Sequence, residues 1–181
     1  MDIRTPMTIA IAAVSGGGKT TVTSRLGERL PNAIALYFDE YDLAGPDDIL
    51  DWVERGANHN EWNIDPILAD ITKLIHSGEV EYVLLDYPFA NLHNNLKTID
   101  LTIFIDTPLD IAMARRILRD FGNMNTEEIM NEMQFYLTRG RLGYESMLTT
   151  IKPHSDVVIN GTLPVDEIVR IIEQEIAGLE Q

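Results

Sequence analysis

One segment of the chain has the residue types that hold a polyphosphate, AVSGGGKT at residues 13–20. It follows the pattern Gly-x-x-x-x-Gly-Lys-Ser/Thr, except that Ala13 stands at the first glycine position. Glycines let the backbone turn its N–H groups toward phosphate oxygens, and the N-terminus of the next helix adds positive potential. In this pattern Lys19 reaches the β- and γ-phosphates, and the Thr20 hydroxyl ligates Mg²⁺. The segment therefore predicts a site for ATP and Mg²⁺.

The predicted nucleotide contacts extend slightly beyond this motif. They are Ser15, Gly16, Gly17, Gly18, Lys19, Thr20 and Thr21. No Asn-Lys-x-Asp guanine signature is present, so ATP is the expected donor.

Alternating apolar and amphipathic segments predict how this loop is positioned. Five short apolar runs have the length of buried strands, at 7–14, 33–38, 80–86, 101–106 and 156–160. Helices are predicted at 19–30, 46–55, 65–76, 108–120, 126 to about 150, and from 165 onward. Strands that alternate with helices form a parallel sheet covered on both faces. We expect an α/β, three-layer P-loop NTPase fold with a five-stranded parallel sheet, as a single domain over 1–181 with a short helical lid at about 115–140.

Three aspartates stand at the ends of predicted strands, where ligands of parallel sheets bind. Asp39 suits a proton acceptor beside the loop, although an aspartate there would also suit a turn. Asp86 ends an apolar strand and suits the Mg²⁺ side of the site. Asp106 is followed by Thr107 and a proline, so we expect the side chain of either Asp106 or Thr107 to cap the next helix.

Several segments together resemble the uridine kinase family of P-loop nucleoside and small-molecule kinases. The loop SGGGKT at 15–20 resembles the family's GSGSGKT, and ARRILRD at 114–120 resembles its lid-helix signature R-R-x-x-R-D. Weaker likenesses are FDEYD at 38–42, WNIDP at 62–66, VLLD at 83–86 and DVVING at 156–161. The likeness runs in order along nearly the whole chain.

The resemblance implies roles for individual residues. Asp39 would be the general base for the acceptor hydroxyl and a neighbour of the metal, and Asp86 would replace the family's Mg²⁺-associated Glu. Arg116 and Arg119 would clamp the phosphates of ATP, and Asp65 would hold the ribose hydroxyls of the acceptor. With Arg115, these arginines fall within an arc of roughly 100° on a helix, so one face can meet the triphosphate.

These roles give the predicted site as a whole. Its catalytic residues are Lys19, Asp39, Arg116 and Arg119, and Arg116 also binds the nucleotide. Its metal ligands are Thr20, Asp39 and Asp86, and its acceptor contacts are Asp39, Tyr41, Asp65 and Tyr87. Aromatic side chains there would form a stacking wall for a ring, or would simply pack.

Two departures from the family bear on the acceptor and on closure of the lid. The family's uracil-recognising hairpin is missing, because only residues 77–81 join the helix at 65–76 to the next strand. The lid segment FGNMN at 121–125 carries no positive charge. A nucleoside is the acceptor that the resemblance favours. The alternatives are another hydroxyl metabolite, such as a sugar or vitamin precursor, or a regulatory ATP-binding protein without catalysis.

Other polar residues receive simpler interpretations. Arg139 and Arg141 suit either a substrate phosphate or the surface, and His93 is expected to lie exposed in a loop. The four histidines show no metal-binding spacing, which disfavours zinc.

Composition narrows the class of partner. The 181 residues include 14 Lys and Arg against 29 Asp and Glu, a formal net charge of −15, which argues against nucleic-acid or anionic-membrane binding. The chain has no cysteine, which fits a reducing compartment, and the Gly-rich loop after residues 7–14 is unlike a signal-peptide cleavage region. We expect a cytoplasmic protein with a small-molecule substrate and room for homo-oligomer formation.

Overall fold

In the computed structural model, which describes residues 5–180, five parallel strands form one sheet in the order β2-β3-β1-β4-β5. The strands are β1 (Met7–Ala12), β2 (Ala33–Tyr37), β3 (Tyr82–Asp86), β4 (Leu101–Asp106) and β5 (Val157–Asn160). Each predicted run contains one of them, so the five-stranded parallel sheet is confirmed. The central position of β1 places the Gly-rich loop at the middle of the sheet edge.

Seven α-helices follow the predicted order within the described residues. They are α1 (Lys19–Arg29), α2 (Ile49–Glu54), α3 (Asp65–Ser77), α4 (Leu109–Asp120), α5 (Thr126–Phe135), α6 (Arg141–Ser146) and α7 (Val165–Leu179). Helix α2 begins later than predicted, because Asp48 caps it by accepting hydrogen bonds from the N–H groups of Leu50 and Asp51. The helix predicted from 126 to about 150 is interrupted by π-helical turns at Tyr136–Gly140 and Met147–Ile151.

Both faces of the sheet are covered, which gives three layers. On one face, Ile9 and Ile11 of β1 pack with Leu26 of α1 and Val169 of α7. On the other, Ala10 belongs to a cluster that includes side chains of α2, α3 and α4. Residues Ile9 to Ala12 have no exposed surface. An apolar run without polar alternation is what a strand buried on both faces requires.

The predicted cap at the start of α4 is wrong. The residue before the helix is Pro108, and no side chain caps it. Asp106 instead accepts a hydrogen bond from Lys152 Nζ at 2.6 Å. The Thr107 hydroxyl is directed to the Gly-rich loop, because β4 lies beside β1 and its end meets that loop.

Aromatic rings fill the space between α2 and the loop after β3. Trp52 meets His59 edge-on at 5.4 Å between ring centroids, and His59 lies 5.1 Å from Phe89. The expectation that His93 lies exposed is wrong: it is 2 % exposed, with Nε2 3.0 Å from the Trp62 carbonyl oxygen and Nδ1 accepting from the Asn95 N–H. No helix within residues 5–180 has the length and apolar character needed to cross a bilayer.

Burial of His59 predicts that the fold loses stability in mild acid. Burial lowers the pKa of this imidazole below its ordinary 6.5, and the charges of His93 and His154 lower it further. The unfolded chain therefore binds a proton more readily, so the free energy of unfolding falls as the pH drops from 6.5 toward the folded-state pKa. Urea unfolding across this range should show a smaller loss for His59→Phe than for the wild type.

The exposed His76 of α3 supplies the matched control. His76→Phe should keep the wild-type pH dependence. An unchanged pH dependence in His59→Phe would contradict the prediction.

Candidate active site

The Gly-rich loop between β1 and α1 has a backbone that only glycine can adopt at Gly16. This residue has φ +77°, and a Cβ atom there would lie 2.0 Å from the Ala112 carbonyl oxygen of α4. The Gly17 N–H donates to the Val14 carbonyl at 2.8 Å and closes the turn. Gly18, with φ +99°, precedes α1 without a side-chain cap. The first turn of α1 therefore keeps N–H groups available for an anion.

The loop is fixed from a second side by Thr107. Its buried hydroxyl donates to the Gly17 carbonyl oxygen at 2.8 Å. Gly161, after β5, leaves room for this contact, since a Cβ atom there would lie 1.9 Å from Thr107 Oγ1. The sequence prediction missed Thr107. The available signal was its position after a strand that ends at the same sheet edge as the loop.

Asp86 lies directly beneath the loop. Parallel pairing of β1 with β3 sets Ile11 opposite Asp86, and the carboxylate is 2 % exposed. It forms an ion pair with Lys19, and no other group donates a hydrogen bond to either of its oxygens. Burial lowers the pKa of Lys19 to about 8, while the charge of Asp39 raises it and that of Arg119 lowers it. The lysine is thus held among the charged groups predicted for catalysis.

A cleft of about 590 Å³ runs along the loop. Residues 13–22 line it together with Phe38, Asp39, Pro88, Arg115, Arg119, Met147, Gly161, Leu163, Val165 and Ile168. The structure therefore brings together the predicted residues Ser15 to Thr21, Asp39 and Arg119. Asp39 is exposed in a short 3₁₀ turn after β2. Hydrogen bonding to Asp120 raises the pKa of Arg119, and the charge of Asp39 adds to this.

Arg116 is placed differently from the prediction. Its Nη1 donates to Glu132 Oε1 of α5 at 2.6 Å, and its guanidinium lies over the Phe121 ring. It lines a separate cavity of about 390 Å³ and not the nucleotide cleft. Arg115 takes the place beside the loop, with Nη1 3.4 Å from the Gly161 carbonyl oxygen. Helical spacing identified the cluster of arginines, but the direction of Arg116 depends on its contact with Glu132, which lies on another helix.

Three predicted acceptor residues do not line the nucleotide cleft. Asp65 is exposed at the start of α3 and lines a different cleft. The Tyr41 hydroxyl donates to Asp70 at 3.0 Å. Tyr87 is 1 % exposed and packs edge-on against Phe38 and Phe89, and burial raises the pKa of its hydroxyl.

The remaining predicted positions are simpler to place. Thr20 is exposed at the start of α1 and lines the cleft. Arg139 pairs with Asp48 at 3.4 Å, and Arg141 pairs with Glu145 at 2.8 Å, so both make surface ion pairs. No group of three or more His, Cys, Asp or Glu side chains in residues 5–180 could hold a metal by itself.

Curated relatives over most of the chain are uridine kinases. The protein of Borrelia hermsii is 25% identical, covering 83% of this chain and 84% of the relative. That of Ureaplasma parvum is 29% identical, covering 69% of this chain and 74% of the relative. The resemblance to uridine kinases is confirmed. No family model matches the chain.

Solved structures confirm the P-loop kinase fold. Deoxyadenosine kinase from M. mycoides with bound dATP has a TM-score of 0.52 at 15% identity, covering 94% of this chain and 99% of that one. A gluconokinase from Sinorhizobium meliloti has a TM-score of 0.53 at 19% identity, covering 92% and 89%. At these identities the likeness concerns the fold, and together with the curated relatives it supports a small-molecule kinase.

The Thr107 contact predicts that Thr107→Val weakens nucleotide binding through the loop. The substitution leaves the Gly17 carbonyl without its donor, which costs about 1–3 kcal/mol of stability. A lower urea midpoint and a higher Kd for a non-hydrolysable ATP analogue should follow. Thr149→Val, at an exposed hydroxyl that bonds within its own helix, is the control. Equal effects of the two substitutions would contradict a role for Thr107 in holding the loop.

Proposed function

We propose that this chain is an ATP- and Mg²⁺-dependent kinase that transfers the γ-phosphate to a hydroxyl of a nucleoside. The observation that carries the proposal is the single cleft that joins the phosphate loop, Lys19, Asp39 and Arg119. These groups supply the two needs of phosphoryl transfer, which are neutralisation of phosphate charge and a carboxylate for the acceptor proton.

The lining of the cleft suits a donor nucleotide. Loop N–H groups and the start of α1 face the phosphates, and Lys19, Arg115 and Arg119 supply positive charge. The far end of the cleft is apolar, with Leu163, Val165 and Ile168, and suits a base.

The residues present also fit Mg²⁺. This ion takes oxygen ligands and is commonly held by one or two carboxylates together with substrate phosphates. Asp86 offers a buried carboxylate that faces Lys19 and no other donor, and Thr20 offers a hydroxyl at the start of α1. When bound, the ion would neutralise charge on the phosphate oxygens. Asp39, exposed in the cleft, would be its neighbour.

Asp39 acts as the general base in this proposal. The acceptor oxygen forms a bond to the γ-phosphorus, the bond from that phosphorus to the β-phosphate oxygen breaks, and ADP leaves. The acceptor proton passes to the Asp39 carboxylate. Lys19 and Arg119 balance the charge of the transferring group. The negative charge of Asp39 raises the pKa of both cations and so favours their charged forms.

The nucleoside acceptor is supported by the curated relatives, which are named uridine kinases. A sugar or other hydroxyl metabolite is the second candidate, because one neighbour in fold is a gluconokinase. The chain has no cysteine, which is consistent with a protein that acts in the reducing environment of the cytoplasm.

Acceptor-stimulated ADP release tests the kinase directly. With ATP and Mg²⁺, one member of a panel of nucleosides, sugars and vitamin precursors should stimulate release. Lys19→Ala should lower kcat/KM about a hundredfold or more, because it removes charge at the transferring phosphate. Asp39→Asn should lower kcat by about a hundredfold or more while ATP-analogue binding persists.

Two variants serve as matched controls. Lys97→Ala changes an exposed loop lysine, and Asp42→Asn changes an exposed carboxylate three residues after Asp39; both should keep near-wild-type rates. If no acceptor stimulates turnover while the ATP analogue binds, the chain is a nucleotide-binding regulatory protein and not a kinase. If the ATP analogue does not bind, the proposal fails entirely.

A further inference from the structure

The Asp39 carboxylate has no polar contact that fixes its position. Strand β2 pairs with β3 as far as Tyr37, which lies opposite Asp86, and the chain then leaves the sheet in the 3₁₀ turn Phe38–Glu40. Within residues 5–180 the Asp39 side chain makes no hydrogen bond or ion pair, although its charge acts on Lys19. The position of the carboxylate in the cleft therefore depends on the turn that carries it.

The ring of Phe38 anchors this turn. It meets three aromatic rings edge-on, with distances between ring centroids of 5.3 Å to Trp62, 5.7 Å to Tyr87 and 5.4 Å to Phe89. We call these three residues the aromatic clamp. Edge-to-face pairs are attractive and have a preferred geometry. Together the three contacts fix the Phe38 ring, and with it the backbone that leads into Asp39.

Trp62, which reaches the clamp from a different loop, is itself fixed on two sides. Its ring lies against Gly45, where a Cβ atom would be 2.5 Å from Cε3 and 2.7 Å from Cζ3. Its carbonyl oxygen lies 3.0 Å from Nε2 of the buried His93. The N–H of Asn63 donates to the Ala44 carbonyl oxygen at 2.8 Å, which holds the two loops together. A side chain at position 45 would displace the Trp62 ring.

The indole N–H of Trp62 has no polar role in this arrangement. Its Nε1 atom is buried and has no hydrogen-bond partner within residues 5–180. A buried tryptophan ordinarily donates this hydrogen bond. The contribution of Trp62 to the clamp is therefore the shape of its ring and the edge contact with Phe38.

We propose that Gly45, Trp62 and Phe38 are positioning residues for the Asp39 base. The inference rests on the proposed kinase function, in which Asp39 takes the proton of the acceptor. Gly45 admits the Trp62 ring, the clamp fixes Phe38, and Phe38 fixes the turn that carries the base. A general base must lie within hydrogen-bond reach of its proton, and a misplacement of about 1 Å can cost about a hundredfold in rate.

The structure also indicates which kinetic constant the clamp controls. Neither Gly45 nor Trp62 lines the nucleotide cleft, whereas the phosphate loop and Arg119 line it from β1, α1 and α4. A displaced clamp should therefore move Asp39 and leave the nucleotide contacts in place. The expected signature is a lower kcat with unchanged binding of an ATP analogue.

Gly45→Ala tests the clamp without changing an aromatic residue. ADP release is measured with ATP, Mg²⁺ and whichever of uridine, cytidine, adenosine and deoxyadenosine gives the highest wild-type rate. Because the added methyl group displaces the Trp62 ring, kcat should fall about tenfold or more, while the nucleoside KM and the Kd of a non-hydrolysable ATP analogue stay within about twofold. Gly178→Ala is the matched control and should keep the wild-type kcat, since nothing lies within 4 Å of its Cβ position.

Two substitutions of Trp62 separate ring shape from hydrogen bonding. Trp62→Phe keeps an aromatic edge for Phe38 and removes an N–H that has no partner, so kcat should stay within about threefold of the wild type. Trp62→Leu removes the edge and should lower kcat about tenfold or more. Ile176→Ala, in the core on the other face of the sheet, controls for lost stability and should keep kcat even where its urea midpoint is as low.

The outcomes separate this inference from the proposed function. If the wild type transfers phosphate to a nucleoside while Gly45→Ala and Trp62→Leu keep its kcat, the clamp does not position the base and only the inference fails. It also fails if Trp62→Phe and Trp62→Leu lower kcat equally, or if Ile176→Ala lowers kcat as much at a similar urea midpoint. A wild type that binds the ATP analogue without acceptor-stimulated turnover overturns the kinase proposal, and this inference with it.

Discussion

The buried Asp86 carboxylate is the constraint on which the site depends. A carboxylate that is 2 % exposed is costly unless a cation faces it, and here that cation is Lys19 of the phosphate loop. The pair joins the end of β3 to the start of α1. Parallel pairing of β1 with β3 fixes its position, because Ile11 lies opposite Asp86. A shift of one residue in that register would turn Asp86 to the other face of the sheet. The Lys19–Asp86 ion pair therefore links the register of β1 and β3 to the position of the lysine proposed to neutralise the transferring phosphate.

The loop itself is held by contacts from β4 and α4, on the opposite side of β1 from Asp86. Thr107 bonds to the Gly17 carbonyl, and the Ala112 carbonyl of α4 excludes any side chain at Gly16. The helix that carries the arginines is thus packed directly on the phosphate loop. On that helix, Arg115 and Arg119 face the nucleotide cleft, whereas Arg116 faces Glu132. One helix consequently contributes to two adjoining cavities of different charge.

Local patterns predicted much of this arrangement from sequence. The five strands were identified because runs such as Ile9 to Ala12 are continuously apolar, and the loop was identified because its glycines and Lys19 have fixed spacing. Contacts between distant segments could not be predicted in the same way. Glu132 lies 16 residues from Arg116 and belongs to no motif. The local pattern at Asp106 and Thr107 predicts a helix cap, and nothing in it indicates that Thr107 bonds to a residue 90 positions away. The burial of His93 likewise depends on the Trp62 carbonyl, which only the fold brings near.

The π-helical turns in the segment from Thr126 to Ile151 have a consequence for how such a site can diverge. A π-turn holds one more residue than the α-helical turn it replaces, and such turns arise as local insertions. Loss of one residue from Tyr136–Gly140 would return this turn to α-helical geometry and leave the residues after it on the face that they occupy now. Gly143 and Tyr144 would then stay in the wall of the cavity that Arg116 lines, whereas the same loss from an α-helical turn would rotate them by about 100° around the helix axis. Insertions and deletions of one residue at these turns can therefore be absorbed without moving the residues that follow.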